Sequence, residues 1–187
     1  MRWPGRGREE QLPEEIAGQV ALPSGDRLLA WSRDAASGAY LVASLYALHH
    51  VPVAAGDDPV AAIRRGEPWS RPWRDIAAGA WDPGTKTLTV TWSDGARPVM
   101  WTLADDSVRL PAVLHDRVRS SVYVMAPVRM GESDLGRVAL RRDFEKGTLV
   151  EQVTLKRGRA SQDPEVAEYA QLLLRDLREQ AGLPVAE

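Results

Sequence analysis

Ile76-Ala77-Ala78-Gly79-Ala80-Trp81-Asp82-Pro83-Gly84-Thr85-Lys86-Thr87-Leu88-Thr89-Val90-Thr91-Trp92 is followed, after a short break, by Val99-Met100-Trp101-Thr102-Leu103. From Thr87 the chain alternates. Leu88, Val90 and Trp92 fall on one side, and Thr87, Thr89 and Thr91 on the other, which is the period of a half-buried strand. Asp82-Pro83-Gly84-Thr85-Lys86 and Asp94-Gly95 are turn sequences. The stretch therefore reads as a three-stranded meander over 76–103. Three of the seven tryptophans lie in it, and the alternation predicts that Trp92 and Trp101 are buried on one shared face.

Working outward, Arg27 to Arg33 reads as a strand and 34–38 as a hairpin loop. Ala39 to Val51 reads as one further strand, apolar on both faces and so central or covered on both sides. Between Pro52 and Pro72 the pattern breaks. Asp57-Asp58-Pro59 predicts a short helix over Val60 to Arg65, within a connecting loop that carries Trp69 and Trp73. Residues 1–19 read as an N-terminal arm, either mobile or a short helix ending near Gly18.

Downstream, Asp105-Asp106-Ser107 offers an N-cap to a helix striped by Leu110, Val113, Leu114, Val118, Ser121 and Val122. Residues 123–130 read as extended, and 136–143 with 148–157 as a hairpin. Asp163-Pro164 then opens a second amphipathic helix, stopped by Gly182 and Pro184. Its stripe is Val166, Ala170, Leu173 and Leu177, widened by Leu172 and Leu174. A face that wide predicts that the flanking leucines wrap over a concave surface, meet the second hairpin or contact another subunit, the last giving a homodimer through the 164–181 helix. No βαβ alternation is present, so a doubly wound parallel sheet is not expected.

Gly25-Asp26-Arg27-Leu28-Leu29-Ala30-Trp31, Tyr40-Leu41-Val42-Ala43-Ser44-Leu45-Tyr46-Ala47-Leu48 and Pro72-Trp73-Arg74-Asp75-Ile76 resemble the first strand, the second strand and the approach to the later strands of the bacterial pleckstrin-homology-like (PH-like) domains. The resemblance covers about residues 25–122. It implies a curved antiparallel sheet of about seven strands, closed at one end by the 108–122 helix. Members of the family are adaptors for peptides, proteins or anionic lipids and rarely catalyse anything. The members that bind phosphoinositides use a basic loop between the first two strands. Here that loop, Arg33 to Gly38, sets one arginine against one aspartate. The expected fold is α+β: an arm (1–19), a PH-like antiparallel β-barrel or sandwich capped by one helix (20–122), and a C-terminal β-hairpin with an amphipathic helix packed on it (123–187).

Composition narrows the chemistry. The chain has 187 residues, 44% apolar and 27% charged, with a net charge of −2. It has no global electrostatic bias towards nucleic acid. The absence of cysteine excludes disulfides, thiolate nucleophiles and zinc–cysteine sites. Arginine outnumbers lysine 21 to 3, a bias that fits a GC-rich bacterial genome. No run approaches the ~18 apolar residues of a membrane span, so a cytoplasmic protein is expected.

His49 and His50 are neighbours on one strand and should point to opposite faces, one to the core and one outward, so neither a metal nor a cofactor is expected. The main functional expectation is a non-enzymatic binding or adaptor module acting through a protein or peptide partner. The residues expected to carry it are Trp69, Trp73, Arg141, Arg142, Lys156, Arg157 and Arg159. The alternative is an anion-binding role, on a phospholipid surface or RNA, through 136–159, where seven cations face three carboxylates. A third reading is a hydrolase using His115.

Overall fold

The computed structural model describes residues 11–53, 67–105, 109–156 and 162–183. A short helix, α1 (Glu14–Ala17), precedes β1 (Leu28–Arg33), β2 (Tyr40–Ser44), β3 (Ala47–Val51) and β4 (Trp69–Pro72). These four strands pair in that order as one antiparallel sheet. A 3-10 turn at Trp73–Asp75 carries the chain into the meander, β5 (Ile76–Asp82), β6 (Thr87–Trp92) and β7 (Val99–Thr102). Helix α2 (Arg109–Ser121) follows, then β8 (Val122–Met130), β9 (Ser133–Asp143) and β10 (Thr148–Leu155), and finally α3 (Pro164–Gln180). The fold is mixed α+β with three antiparallel sheets, none of which closes on itself.

The first two sheets enclose one core. Leu41, Ala43 and Leu48 of the first meet Leu88, Val90, Trp92 and Trp101 of the second, with Leu110 and Leu114 of α2 closing one end. Gly79 of β5 passes directly beneath Leu114. A Cβ at Gly79 would lie 2.2 Å from Leu114 Cδ2, so a larger residue there would force the Leu114 side chain to move. The sheets are joined at two corners. At one, Asp34 bridges Leu103, Ala35 N–H donates to Thr102 O (2.7 Å), and Ala104 N–H to Arg33 O (2.8 Å). At the other the chain itself crosses at Trp73, which is 0% exposed. There Trp73 N–H donates to Tyr46 O (3.3 Å) and its Nε1 to Ser44 O (3.1 Å).

Three sequence expectations change here. The apolar run 39–51 is two strands, not one. The Asp26 carboxylate accepts from the Ser44 hydroxyl (2.7 Å) and from Tyr46 N–H (3.2 Å), and Ser44 Oγ accepts from Ala47 N–H (3.1 Å). This imposes a turn where the local sequence has neither glycine nor proline. The C-terminal hairpin is a three-stranded sheet, because β8 pairs along β9. The helix stripe is also rotated: Val166, Ala170, Leu174 and Leu177 are buried against Val128, Val138 and Leu140, while Leu173 is half-buried. Leu172 remains 47% exposed and Tyr169 lies in the open beside it.

Asp163 does cap α3, accepting from Glu165 N–H at 3.0 Å, and Gly182 ends it at φ +67. The arm is packed. Ile16 and Val20 cover Val42 and Val51 on the outer face of the first sheet. The short helix expected over Val60 to Arg65, with Asp106 and Ser107 of the expected cap, lies outside the described residues.

Candidate functional site

Trp69 is half-buried and already enclosed by other rings. It stacks on His50 (centroids 5.5 Å), meets Trp92 edge-on (5.4 Å) and lies 6.1 Å from Trp101. Arg71 covers Trp92 at 4.4 Å while pairing with Asp94. Trp92 and Trp101 are buried on one face, as the alternation predicts. Register separates them, since Trp101 pairs with Leu88, and Trp69 fills the space between. The four rings satisfy one another. Trp73, enclosed in the core, presents no surface to a partner.

The basic residues of 136–159 do not form one patch. Arg141 is 3% exposed. Its Nη2 donates to Trp73 O (3.0 Å), Ile76 O (2.8 Å) and Ser121 Oγ (2.7 Å). Burial, with Arg137 nearby, brings its pKa down to about 10, so it stays charged at neutral pH. Arg137 Nη2 donates to Ala77 O (2.9 Å), and Gln152 Nε2 to Arg74 O (3.0 Å) and Ser93 Oγ (2.7 Å). Arg74 meets the buried Asp143 carboxylate at 2.6 Å. Together these contacts clamp the C-terminal sheet onto the Trp73 corner, and Arg141 serves that clamp rather than a free surface. Adjacent residues of a strand point to opposite faces. Arg142 accordingly stays exposed, over the Tyr123 ring at 5.2 Å. Lys156 is exposed and pairs with Asp134 (3.0 Å). Arg157 and Arg159 lie outside the described residues.

Both neighbouring histidines are buried, correcting the expectation that one faces outward. His49 Nε2 lies 3.1 Å from Ser44 Oγ, and His50 Nδ1 lies 3.3 Å from Glu67 O. Burial holds both imidazoles below the ordinary histidine range, partly offset at His49 by Asp26 and at His50 by the Glu67 carbonyl and Asp34. Ser44, His49 and Asp26 are therefore in contact, but the hydroxyl itself donates to the carboxylate. The imidazole does not stand between them, as a nucleophile–base–carboxylate relay requires. Among the described residues no group of three or more His, Asp or Glu side chains could hold a metal ion. No described helix is long and apolar enough to cross a membrane.

The open feature lies on β5. In the order β5-β6-β7 it is an edge strand, so its outer side pairs with no strand of its sheet. Ala78, Gly79 and Ala80 are exposed along it. Between this edge and α2 runs a cleft of about 350 Å³, walled by Gly79, Ala80 and Trp81 on one side and by Pro111, Ala112 and His115 on the other. The indole N–H of Trp81, one of the wall residues, is buried without a hydrogen-bond partner among the described residues. A buried donor left unpaired costs about 1–3 kcal/mol. His115 thus lines a cleft, but its neighbours there include no serine and no carboxylate. Sequence reasoning passed over this site because Ala77-Ala78-Gly79-Ala80 carries no reactive group. The available signal was a run of small residues, which lets another backbone approach closely.

Family models, curated proteins and solved structures were all compared with the chain, and none matches it significantly.

Proposed function

We propose that the chain is a binding module whose 28–121 unit, PH-like in architecture, takes up an extended peptide as an added strand on β5, beside α2. The four-plus-three strand arrangement followed by one helix supports the architectural part of this reading. The observation that carries the binding part is an unpaired, small-residue strand edge bordering a cleft walled in part by Trp81, whose indole N–H is buried without a partner among the described residues. Edge strands are ordinarily blunted by charge, proline or a covering element, because their free N–H and C=O groups recruit other strands. Ala78–Ala80 carries neither charge nor proline, and α2 crosses it at Gly79 through Leu114 alone among the residues that would meet a Cβ there. Main-chain hydrogen bonds would supply affinity, and alternate side chains entering the cleft would supply selectivity. A carbonyl or carboxylate reaching Trp81 would satisfy its donor. No chemical step is involved.

The test is selection from displayed random dodecapeptides, followed by titration of the resynthesised binders. Single N-methyl groups on the peptide backbone should weaken binding about tenfold or more at every second position, since only alternate N–H groups face β5. Ala112→Glu, on the exposed wall of the cleft, should abolish binding without disturbing the fold. Equal sensitivity at all positions, or full binding by Ala112→Glu, would overturn the proposal.

A further inference from the structure

The two sides of the C-terminal unit carry opposite charge. α3 covers one face of its sheet, on Val124, Ala126 and Val128 of β8. The outer side of the helix is centred on Leu172, the midpoint of Pro164–Gln180, with Tyr169 beside it. At 3.6 residues per turn, Glu165, Glu168, Asp176 and Glu179 all fall within about 60° of Leu172. All four are exposed, and one cation, Arg175, lies among them. Arg178 is turned back to Glu151 of β10. This side is apolar at its centre and acidic at its rim.

The opposite face of the same sheet is apolar and cationic. Met125 and Pro127 alternate along β8 with the residues that meet α3, so they point away from the helix. With Arg137, Thr154 and Lys156 they line a hollow of about 390 Å³. Pro127, Arg137 and Thr154 stand in one row across the three strands. Met125 is 51% exposed, a large apolar side chain open to solvent within a depression. Asp134 also lines the hollow; Lys156 pairs with it at 3.0 Å and Arg129 acts on it from nearby. Arg137 spends Nη2 on Ala77 O, one of the five N–H donors of a guanidinium. Glu132 lies on the adjoining turn, and Arg142 stands over Tyr123 farther along β8. The rim therefore holds four cations (Arg129, Arg137, Arg142, Lys156) to two carboxylates.

A twofold contact of α3 on itself does not suit these charges. Antiparallel about Leu172, it sets Glu165 against Glu179 and Glu168 against Asp176 of the second copy. Parallel, it sets each residue against itself. Either way like charge meets like, which opposes association.

We propose instead that the chain associates with itself head to tail. The α3 side of one copy docks on the hollow of the next, Leu172 and Tyr169 against Met125 and Pro127, with the acidic rim over Arg129, Arg137 and Lys156. The occupant is a second copy because one chain carries both complementary patches. They lie on opposite faces of one sheet, so each contact leaves a patch open at either end and further copies add, in a ring or an open filament. This stands independently of the peptide-binding reading.

Sedimentation velocity on the full chain, from about 10 µM to about 1 mM, is the test. The average mass of wild type should climb with concentration. Raising sodium chloride from about 50 to about 500 mM should weaken association about three- to tenfold. Leu172→Glu and Met125→Glu, both at exposed positions, should each be monomeric. Mixed in equal amounts they should form a one-to-one dimer and nothing larger, because only the α3 side of Met125→Glu and the hollow of Leu172→Glu remain intact. A mixture that stays monomeric overturns the proposal, as does a wild type that is monomeric throughout the range. Association retained by Met125→Glu overturns it in favour of a twofold helix contact. A further arm is co-sedimentation with phosphatidylglycerol–phosphatidylcholine vesicles. Vesicle binding that Met125→Glu removes, by a wild type that never self-associates, overturns it in favour of a membrane surface.

Discussion

Two interfaces hold this molecule together, and they are built from opposite materials. Between the first two sheets the contact is apolar: Trp73, Trp92, Trp101, six leucines and Ile76 fill the space, and Trp73 makes a polar bond from deep inside. Between that sandwich and the C-terminal sheet the contact is polar, with Arg137, Arg141 and Gln152 reaching main-chain carbonyls of Trp73, Arg74, Ile76 and Ala77. Apolar packing is strong but has little direction. Hydrogen bonds from a guanidinium to fixed carbonyls contribute less net energy but set register and orientation. The sandwich is stabilised by the first kind of contact, and the position of the C-terminal sheet along β5 is set by the second.

If that division is right, the largest effect should come from the apolar side. Trp73→Ala should cost about 3–5 kcal/mol, read as a fall in the urea midpoint. Arg141→Met, which keeps the stem but abandons two carbonyls and the Ser121 hydroxyl, should cost about 2–4 kcal/mol. It should also uncouple the two parts, so that tryptophan fluorescence and far-UV dichroism no longer report one coincident transition. An Arg141→Met variant less stable than Trp73→Ala would reverse the ranking and break the comparison.

The smallest expected effect is on pH dependence. In the unfolded chain His49 and His50 take up protons near their ordinary value of 6.5, whereas in the fold burial holds both lower. Between the two values the unfolded chain binds more protons. Stability should therefore be full above about 6.5, fall as pH drops below it, and level off once the folded values are passed. Asp75, raised by burial, acts in the opposite sense at more acid pH. A melting temperature followed from pH 7.5 to 5 should decline in wild type and flatten in a His49→Gln/His50→Gln double variant. Equal slopes would show that other groups carry the dependence.

The parts that could be read from sequence are those whose cause is local. Thr87 to Trp92 carries its period in its own residues, and Asp163-Pro164 carries its cap. The parts that could not be read depend on distant partners. Leu45-Tyr46 turns because Asp26, about twenty residues earlier, holds it. Arg141 resembled a solvated hairpin residue, since the carbonyls that take it lie 65–68 positions upstream. The cleft beside Ala78–Ala80 exists because β5 lies at the edge of its sheet, and edge position belongs to topology rather than to composition. Charged residues in alternating strands are hard to assign for this reason: an apolar side chain needs only a dry place, whereas a guanidinium needs particular acceptors.

The Trp73 corner also bears on how the chain is made. Its carbonyls are complete only when β9 has arrived, although the sandwich around it ends at Ser121. At a ribosomal pace of ~5–20 residues per second, a folding sandwich would hold those carbonyls in water for a few seconds before Arg141 and Gln152 follow it out. During that interval the start of β5 is uncapped, and the whole length of the strand is open to any neighbouring chain. The clamp is therefore also a late lock against nascent-chain association, and strains with slowed translation across 122–152 should accumulate more aggregate of this protein.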